Sequence, residues 1–216
     1  MIRHVVWDWN GTLFDDFHLV VDAVNVGIAP IGIGPITADD YRTHYTRPVK
    51  LFYERLAKRP ISDAEWRDLD RRFHDAYRER VLTAGLSRDA HEALVAVTEV
   101  PADQSLLSMF PHTELLPLVD RLGVTSFFRR IDGLRGEPGA QKAMFLEAHL
   151  KELMRHEDPG SVLLIGDATD DARAAAHVGA AAVLVDNGSH HRGGLDAMGV
   201  PVASTLIEAL RMGGLA

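Results

Sequence analysis

The chain has 216 residues, contains no cysteine and carries a formal net charge of -8. This length suits one large domain or a domain with a smaller insertion, and the lack of cysteine excludes disulfide bonds, a thiolate nucleophile and cysteine metal sites. Acidic residues outnumber basic ones by 31 to 23, so no nucleic-acid partner is expected. The sequence shows neither a membrane-spanning stretch nor a signal-peptide pattern, which favours the cytoplasm and no membrane partner.

The first predicted strand, Ile2–Trp7, is followed by a long stretch without a buried-strand pattern, from Asp15 to about Ala84. Its predicted helix starts are, in chain order, Asp16, Thr37 with Asp40 as a capping box, Pro48, and Ser62 with Glu65 as a second capping box. The last of these helices carries a stripe of large apolar residues, namely Trp66, Leu69, Phe73, Tyr77 and Val81. The stretch is therefore predicted to be a helical insertion with its own core.

Beyond the insertion, short apolar runs alternate with helical patterns. The predicted strands are Ser105–Met109, Ser161–Ile165 and Ala181–Val185, and the predicted helices are Ala140–Leu153 and Asp170–His177. In the first of these helices, Met144, Phe145, His149 and Leu150 recur at helical spacing. The alternation predicts an α/β fold, a Rossmann-like parallel sheet flanked by helices, with the helical insertion after its first strand.

Acidic residues follow two of the predicted strands. The sequence Asp8-Trp9-Asn10-Gly11-Thr12 follows the first strand, and Gly166-Asp167-Ala168-Thr169-Asp170-Asp171 follows the strand at Ser161–Ile165. Parallel sheets bind ligands at the carboxyl ends of their strands, and two acidic strand ends can hold one hard cation such as Mg²⁺. An Asp at a strand-to-helix junction is also a common helix cap, so these residues alone leave both interpretations open.

Between the two acidic motifs lie an apolar strand that ends in Ser108 and then Lys142. With these four features in this order, the chain resembles the haloacid dehalogenase (HAD) superfamily. The resemblance runs from Val5 to about Val185 and is to the phosphoglycolate-phosphatase-like branch with a helical cap. It implies a HAD-like catalytic core at residues 1–14 and 85–216 and a helical cap domain at 15–84 that closes over Asp8. The implied activity is that of a magnesium-dependent phosphatase acting on a small phosphorylated metabolite, as a monomer or homodimer.

The resemblance also implies roles for individual residues. Asp8 is the nucleophile that forms an aspartyl phosphate, Gly11 and Thr12 belong to its phosphate-binding loop, and Ser108 binds a phosphoryl oxygen. The implied metal ligands are Asp8, the main-chain carbonyl of Asn10, Asp167 and Asp171.

Two positions in this assignment are open. Lys142 would neutralise the phosphoryl group, although Glu137 stands where many relatives have the Lys of a Lys-Pro pair, and Arg135 is the substitute candidate. Asp170 either supports the metal site or caps the following helix, and the choice between Asp170 and Asp171 as the second metal ligand is open.

The sequence departs from the phosphatase pattern at Asn10, where the family usually has an Asp that protonates the leaving oxygen and later activates water. An amide can do neither, and general acid–base catalysis is worth about 10²- to 10⁴-fold in rate. Three explanations are open. The substrate has a good leaving group, or His18, His44 or Tyr45 of the cap supplies the proton, or the protein binds a phosphorylated ligand with little turnover.

Two other functions are alternatives. A phosphonoacetaldehyde-hydrolase-like enzyme would cleave a carbon–phosphorus bond through an imine on a cap lysine, Lys50 or Lys58, and would need no acid at position 10. A weakly active or non-catalytic protein would bind a phosphate ligand.

Overall fold

The computed structural model describes residues 1–136, 141–153 and 159–215. Its strands are β1 (His4–Trp7), β2 (Asp103–Pro111), β3 (Ile131–Leu134), β4 (Val162–Gly166), β5 (Ala181–Val185) and β6 (Val202–Ala203). All of them pair in parallel, in the order β3-β2-β1-β4-β5-β6. The predicted α/β fold with a Rossmann-like parallel sheet is confirmed.

Helices connect the strands and form the insertion. They are α1 (Phe17–Ile28), α2 (Ala38–His44), α3 (Val49–Ala57), α4 (Asp63–Arg80), α5 (Ala90–Thr98), α6 (His112–Arg121), α7 (Lys142–Leu153), α8 (Thr169–Val178), α9 (Arg192–Asp196) and α10 (Leu206–Met212). None of the helices in the described part of the chain is long and apolar enough to span a membrane.

The chain forms two compact units. The sheet unit comprises Met1–Asp15, Leu86–Gly188 and Arg192–Ala216, and the helical unit comprises Asp16–Gly85 and Ser189–His191. The helical unit therefore also takes in a short loop that follows β5.

The helical unit is built from capped helices around an aromatic core. Both predicted capping boxes are present, because Thr37 and Ser62 each accept a hydrogen bond from the residue three positions on, whose carboxylate binds back. Pro48 immediately precedes α3. The core consists of Phe17, Val21, Val24, Ile28, Tyr41, Phe52, Tyr53, Ile61 and Leu69, with Trp66 and Phe73 packed against it. Trp66, Leu69 and Phe73 of the predicted stripe thus belong to the core of their own unit, whereas Val81 follows the last residue of α4.

The sheet unit places β1 and β4 side by side at its centre. All residues of both strands are buried, and Trp7 lies opposite Ile165 in the register. Because the strands are parallel and in register, the segments that follow them, from Asp8 and from Gly166, leave the sheet at the same edge. The sheet order therefore brings together two acidic motifs that are far apart in the sequence.

The face that α7 presents to the sheet differs from the predicted one at Met144, whereas Phe145 packs against the core and His149 and Leu150 are buried as predicted. Its buried residues are Lys142, Leu146, His149 and Leu150, whereas Met144 is 57% exposed. Predicting Met144 on the apolar face was wrong, because the buried face of α7 is the one that carries Lys142, whose amine is directed inward to buried carboxylates. Ala140, the predicted first residue of this helix, and Glu137, which precedes it, lie outside the described residues.

Candidate active site

The loop after β1 holds Asp8 in a fixed position at the sheet edge. The main-chain amide of Asp8 donates to the carbonyl of Ile165 at 2.9 Å, and the carbonyl of Trp9 accepts from the amides of Thr12 at 3.2 Å and Phe14 at 2.9 Å. Gly11 has a φ of 71°, which a residue with a side chain adopts only with strain. The result is a tight loop that leaves the Asp8 carboxylate buried.

Three buried carboxylates form a cluster at this edge. One oxygen from each of Asp8, Asp167 and Asp171 lies within 4.8 Å of the others. The amide of Ala168 donates to Asp171 Oδ2 at 2.9 Å and so orients that side chain at the start of α8. The structure therefore brings together the three acids that the sequence proposed as metal ligands.

Glycines make room for these carboxylates. A Cβ at Gly188 would lie 1.7 Å from Asp167 Oδ2, and a Cβ at Gly166 would lie 2.3 Å from Asp171 Oδ2. A Cβ at Gly11 would lie 2.8 Å from the same oxygen of Asp167. Any side chain at these positions would occupy the space of the acids, so the main chain is shaped around the cluster.

Lys142 is the cation of this cluster. Its buried Nζ contacts Asp8 Oδ1 and lies 2.5 Å from Asp171 Oδ1. Burial raises the pKa of Asp8 to about 6, although Lys142 opposes that shift and Asp171 adds to it. Burial by itself would lower the pKa of Lys142, but the carboxylates of Asp171 and Asp8 outweigh it and hold that pKa above its usual value. Lys142 is therefore charged at neutral pH.

The charges of the cluster fit a hard divalent cation. With ionised side chains, three carboxylates and one ammonium give a net charge of -2 (three negative charges and one positive). Mg²⁺ favours carboxylate oxygens and carries the matching charge. The donor set thus suits the metal that the sequence motifs imply.

The other residues of the predicted phosphate-binding loop lie beside Asp8. Thr12 Oγ1 donates to Asp8 Oδ2 over 3.5 Å, and Ser108 Oγ donates to Asn10 Oδ1 at 3.4 Å. The amide of Phe110 donates to Ser108 Oγ at 3.0 Å, which orients this hydroxyl in the carboxyl-terminal half of β2. Asn10 and Ser108 are therefore neighbours at the sheet edge.

Sequence reasoning missed one residue that supports this loop. Ser87 is buried, its hydroxyl donates to the carbonyl of Thr12 at 2.5 Å, and its amide donates to the carbonyl of Leu13 at 2.8 Å. Its only sequence signal is its position just after the predicted insertion. Ser87 thus links the segment that follows the insertion to the loop of Asp8, within the sheet unit.

The remaining candidates have other contacts or belong to the other unit. Asp170 pairs with Arg173 at 3.0 Å on the surface of α8. Arg135 binds Asp132 at 3.1 Å and His112 at 2.7 Å rather than Asp8. The suggested proton donors and imine lysines, His18, His44, Tyr45, Lys50 and Lys58, belong to the helical unit.

Comparison with known proteins supports the same fold family. A family model described as HAD-hydrolase-like matches residues 138–209. A solved structure of a predicted phosphoglycolate phosphatase from Haemophilus somnus superposes with a TM-score of 0.79 at 17% identity, over 98% of each chain. The chain has the haloacid dehalogenase fold. The family resemblance predicted from the motifs is confirmed.

Other HAD structures are similar over nearly their whole length. A haloacid dehalogenase-like hydrolase from Streptococcus pneumoniae has a TM-score of 0.81 at 18% identity, covering 97% of each chain. A HAD family hydrolase from Deinococcus radiodurans, solved with bound phosphate and sodium, has a TM-score of 0.72 at 17% identity, covering 100% of this chain and 98% of the other. A search of curated protein sequences found no match.

Proposed function

We propose that the protein is a magnesium-dependent phosphatase that hydrolyses a small phosphate monoester through an aspartyl phosphate on Asp8. The observation that carries the proposal is the buried cluster in which Lys142 contacts Asp8 beside Asp167 and Asp171. A cluster that served only to cap helices would not need a buried lysine directed at the acid of a different strand.

In the first step, one carboxylate oxygen of Asp8 bonds to phosphorus while the bond from phosphorus to the ester oxygen breaks. The alcohol leaves with the electrons of that bond and takes up one proton. Lys142 stays next to the reacting carboxylate and balances the charge on the phosphoryl group. Ser108 and Thr12, whose hydroxyls lie beside Asn10 and Asp8, are the proposed donors to phosphoryl oxygens.

In the second step, a water oxygen attacks phosphorus, the bond to Asp8 breaks, and the water gives up one proton. Phosphate is released and the Asp8 carboxylate is restored. Mg²⁺ held by Asp8, Asp167, Asp171 and the carbonyl of Asn10 would neutralise part of the phosphoryl charge.

Asn10 restricts the substrates that this site can process quickly. Its amide can donate hydrogen bonds but is too weakly acidic to protonate the leaving oxygen, and its Oδ1 already accepts a hydrogen bond from Ser108. A substrate with a good leaving group needs no such proton, so the site as built favours acyl or aryl phosphates over simple alkyl phosphates. A proton donor from the helical unit, which we propose as the cap domain at residues 15–84, is the other explanation.

The names of similar proteins support a small substrate. One relative is a predicted phosphoglycolate phosphatase and another was solved with bound phosphate. The carbon–phosphorus hydrolase alternative gains no support at Lys50, because this lysine forms an ion pair with Asp63 at 2.7 Å, whereas an imine-forming lysine must reach its neutral form.

The test is phosphate release from a panel of phosphoglycolate, sugar phosphates, acetyl phosphate and an aryl phosphate, with Mg²⁺ or with EDTA. We expect release that requires Mg²⁺ and is lost in Asp8→Asn, while Asp15→Asn, which changes an exposed acid of the same segment, retains it. No release from any ester, together with Mg²⁺-dependent binding of inorganic phosphate, would instead identify a non-catalytic phosphate-binding protein.

A further inference from the structure

A second buried polar cluster links α7 to three strands. His149 Nδ1 lies 2.8 Å from Asp132 Oδ2, and His149 Nε2 lies 2.8 Å from Ser105 Oγ. Ser105 Oγ is in turn 2.7 Å from His4 Nε2. All of these side chains are buried, so the contacts form a continuous chain of hydrogen bonds from β3 through α7 and β2 to β1.

The chemistry of the groups sets the direction of these hydrogen bonds. The carboxylate of Asp132 only accepts, so Nδ1 of His149 donates to it, and in neutral His149 Nε2 is then an acceptor for the hydroxyl of Ser105. Ser105 Oγ accepts in turn from His4, whose pKa burial lowers to about 4 and which is therefore neutral. In this arrangement each nitrogen and oxygen atom of these contacts has a hydrogen-bond partner.

The order Asp132–His149–Ser105 matches that of a hydrolase triad, but Ser105 has no access to a substrate. Its relative exposure is 0%, and its oxygen is held between two imidazole rings. A nucleophile must be reachable and must be able to transfer its proton, so the cluster has a different role.

The position of His149 on α7 indicates that role. Lys142 and His149 lie on the same buried face of the helix, seven residues and about 10.5 Å apart along its axis. Leu146 and Leu150, which share this face, make apolar contacts that tolerate small rotations and shifts. Lys142 also makes polar contacts, but through a long flexible stem, whereas the imidazole of His149 is held close to the helix by a short side chain. Because hydrogen bonds depend on direction, those of His149 restrict rotation of the helix about its axis more than those of Lys142 do.

We propose that His149 is a positioning residue for Lys142. Its hydrogen bonds to Ser105 and Asp132 set the rotation and register of α7 on the sheet, and this holds Nζ of Lys142 against Asp8. The position of the lysine is a property of the structure, and only its catalytic consequence rests on the proposed phosphatase function.

The first test measures the position of Lys142 without an enzyme assay. The native protein is treated with acetic anhydride, and acetylation of Lys142 is quantified by mass spectrometry relative to exposed Lys58. We expect the relative labelling rate to rise about tenfold in His149→Leu, because two buried hydrogen bonds are lost. His149→Gln, which keeps the hydrogen bond toward Ser105, should restore part of the protection.

Gln104→Leu is the matched control. Gln104 is the buried neighbour of Ser105 in β2, but it accepts from Trp7 Nε1 and donates to the carbonyl of Leu94, away from α7. Its replacement removes two buried hydrogen bonds from a residue of the same strand and should leave Lys142 protected. Equal labelling in this control and in His149→Leu, or no increase in His149→Leu, would overturn the proposal.

Two further measurements complete the test. If circular dichroism shows that His149→Leu does not fold, Ser105→Ala is used instead, because it removes the hydrogen bond between His149 and β2 with a smaller change of volume. The labelling of Lys142 is expected to rise in this variant too. If the wild type hydrolyses an ester, His149→Leu should lower kcat about tenfold or more with a smaller change in KM, since small displacements of catalytic groups have such effects. If no ester is hydrolysed, the proposed function fails while the labelling result still decides the role of His149.

Discussion

Replacing Lys142 with methionine tests whether this lysine neutralises the carboxylate cluster. Methionine keeps most of the volume of the apolar stem, so the substitution mainly removes the charge. Without a bound cation, the ionised cluster then changes from a net charge of -2 to -3 inside the protein. Removal of one partner from a buried ion pair costs about 3–5 kcal/mol, and Lys142 serves two carboxylates, so we expect a loss in the upper half of that range.

The assay is unfolding in EDTA at about pH 7, followed by fluorescence and circular dichroism. Trp7 and Trp9 are fully buried in the sheet unit and report on it, and separate fits are needed because the chain has two compact units. At about 2–4 °C per kcal/mol, the melting temperature should fall by about 8–20 °C. Lys50→Met is the control, since it breaks an exposed ion pair with Asp63 and should cost less than about 1 kcal/mol.

The pH dependence of this loss follows from Asp8. Because its pKa in the folded protein is raised from 3.8 to about 6, the folded state binds this proton more tightly than the unfolded state. The associated stability is present below about pH 4 and is lost as the pH rises to about 6. Removing Lys142 raises the pKa further, so the deficit of the variant should shrink between about pH 7 and pH 5. A deficit equal to that of Lys50→Met at pH 7 would refute the role of Lys142.

Three other predictions address the metal site and Asn10. Mg²⁺ should raise the melting temperature of the wild type and of Asp170→Asn but not of Asp171→Asn, and a shift in both variants would contradict the ligand assignment. Gly188→Ala, whose Cβ would meet a cluster carboxylate, should weaken Mg²⁺ binding at least about tenfold in calorimetry, whereas Gly194→Ala, which has open space, should not. Asn10→Asp should raise kcat on alkyl phosphates more than on aryl phosphates, and equal changes on both would show that position 10 does not limit proton transfer.

The acidic site was predictable because its signals are local. Asp8 and Asp167 each follow an apolar run that forms a central strand, and the parallel arrangement brings such strand ends to one edge. The phase of α7 was not predictable in the same way, because a lysine directed inward contradicts the apolar pattern. Met144 fitted that pattern and is nevertheless exposed. The apolar pattern contains no sign of the attraction between Lys142 and two carboxylates that are distant in the sequence.

Two strands, β3 and β6, were not predicted from the sequence, and each omission has a physical reason. The run in β3 is interrupted by Asp132 and Gly133, and Asp132 is there because it binds His149 in a different element. The strand β6 has only two residues, which is too short to produce a periodic signal. Ser87 escaped notice because a single serine after a helix has no pattern, and its importance comes from the carbonyl of Thr12 that it meets in the fold.

The position of the two acidic motifs along the chain has a consequence for synthesis on the ribosome. Asp8 is made before its carboxylate partners, which follow β4 about 160 residues later, and this separation corresponds to about 8–30 s of translation. The helical unit has a nearly contiguous sequence and its own core, so it can fold while β1 still lacks its neighbour β4. The proposed affinity for a divalent cation would therefore arise only after the nascent chain has completed the pairing of β1 with β4.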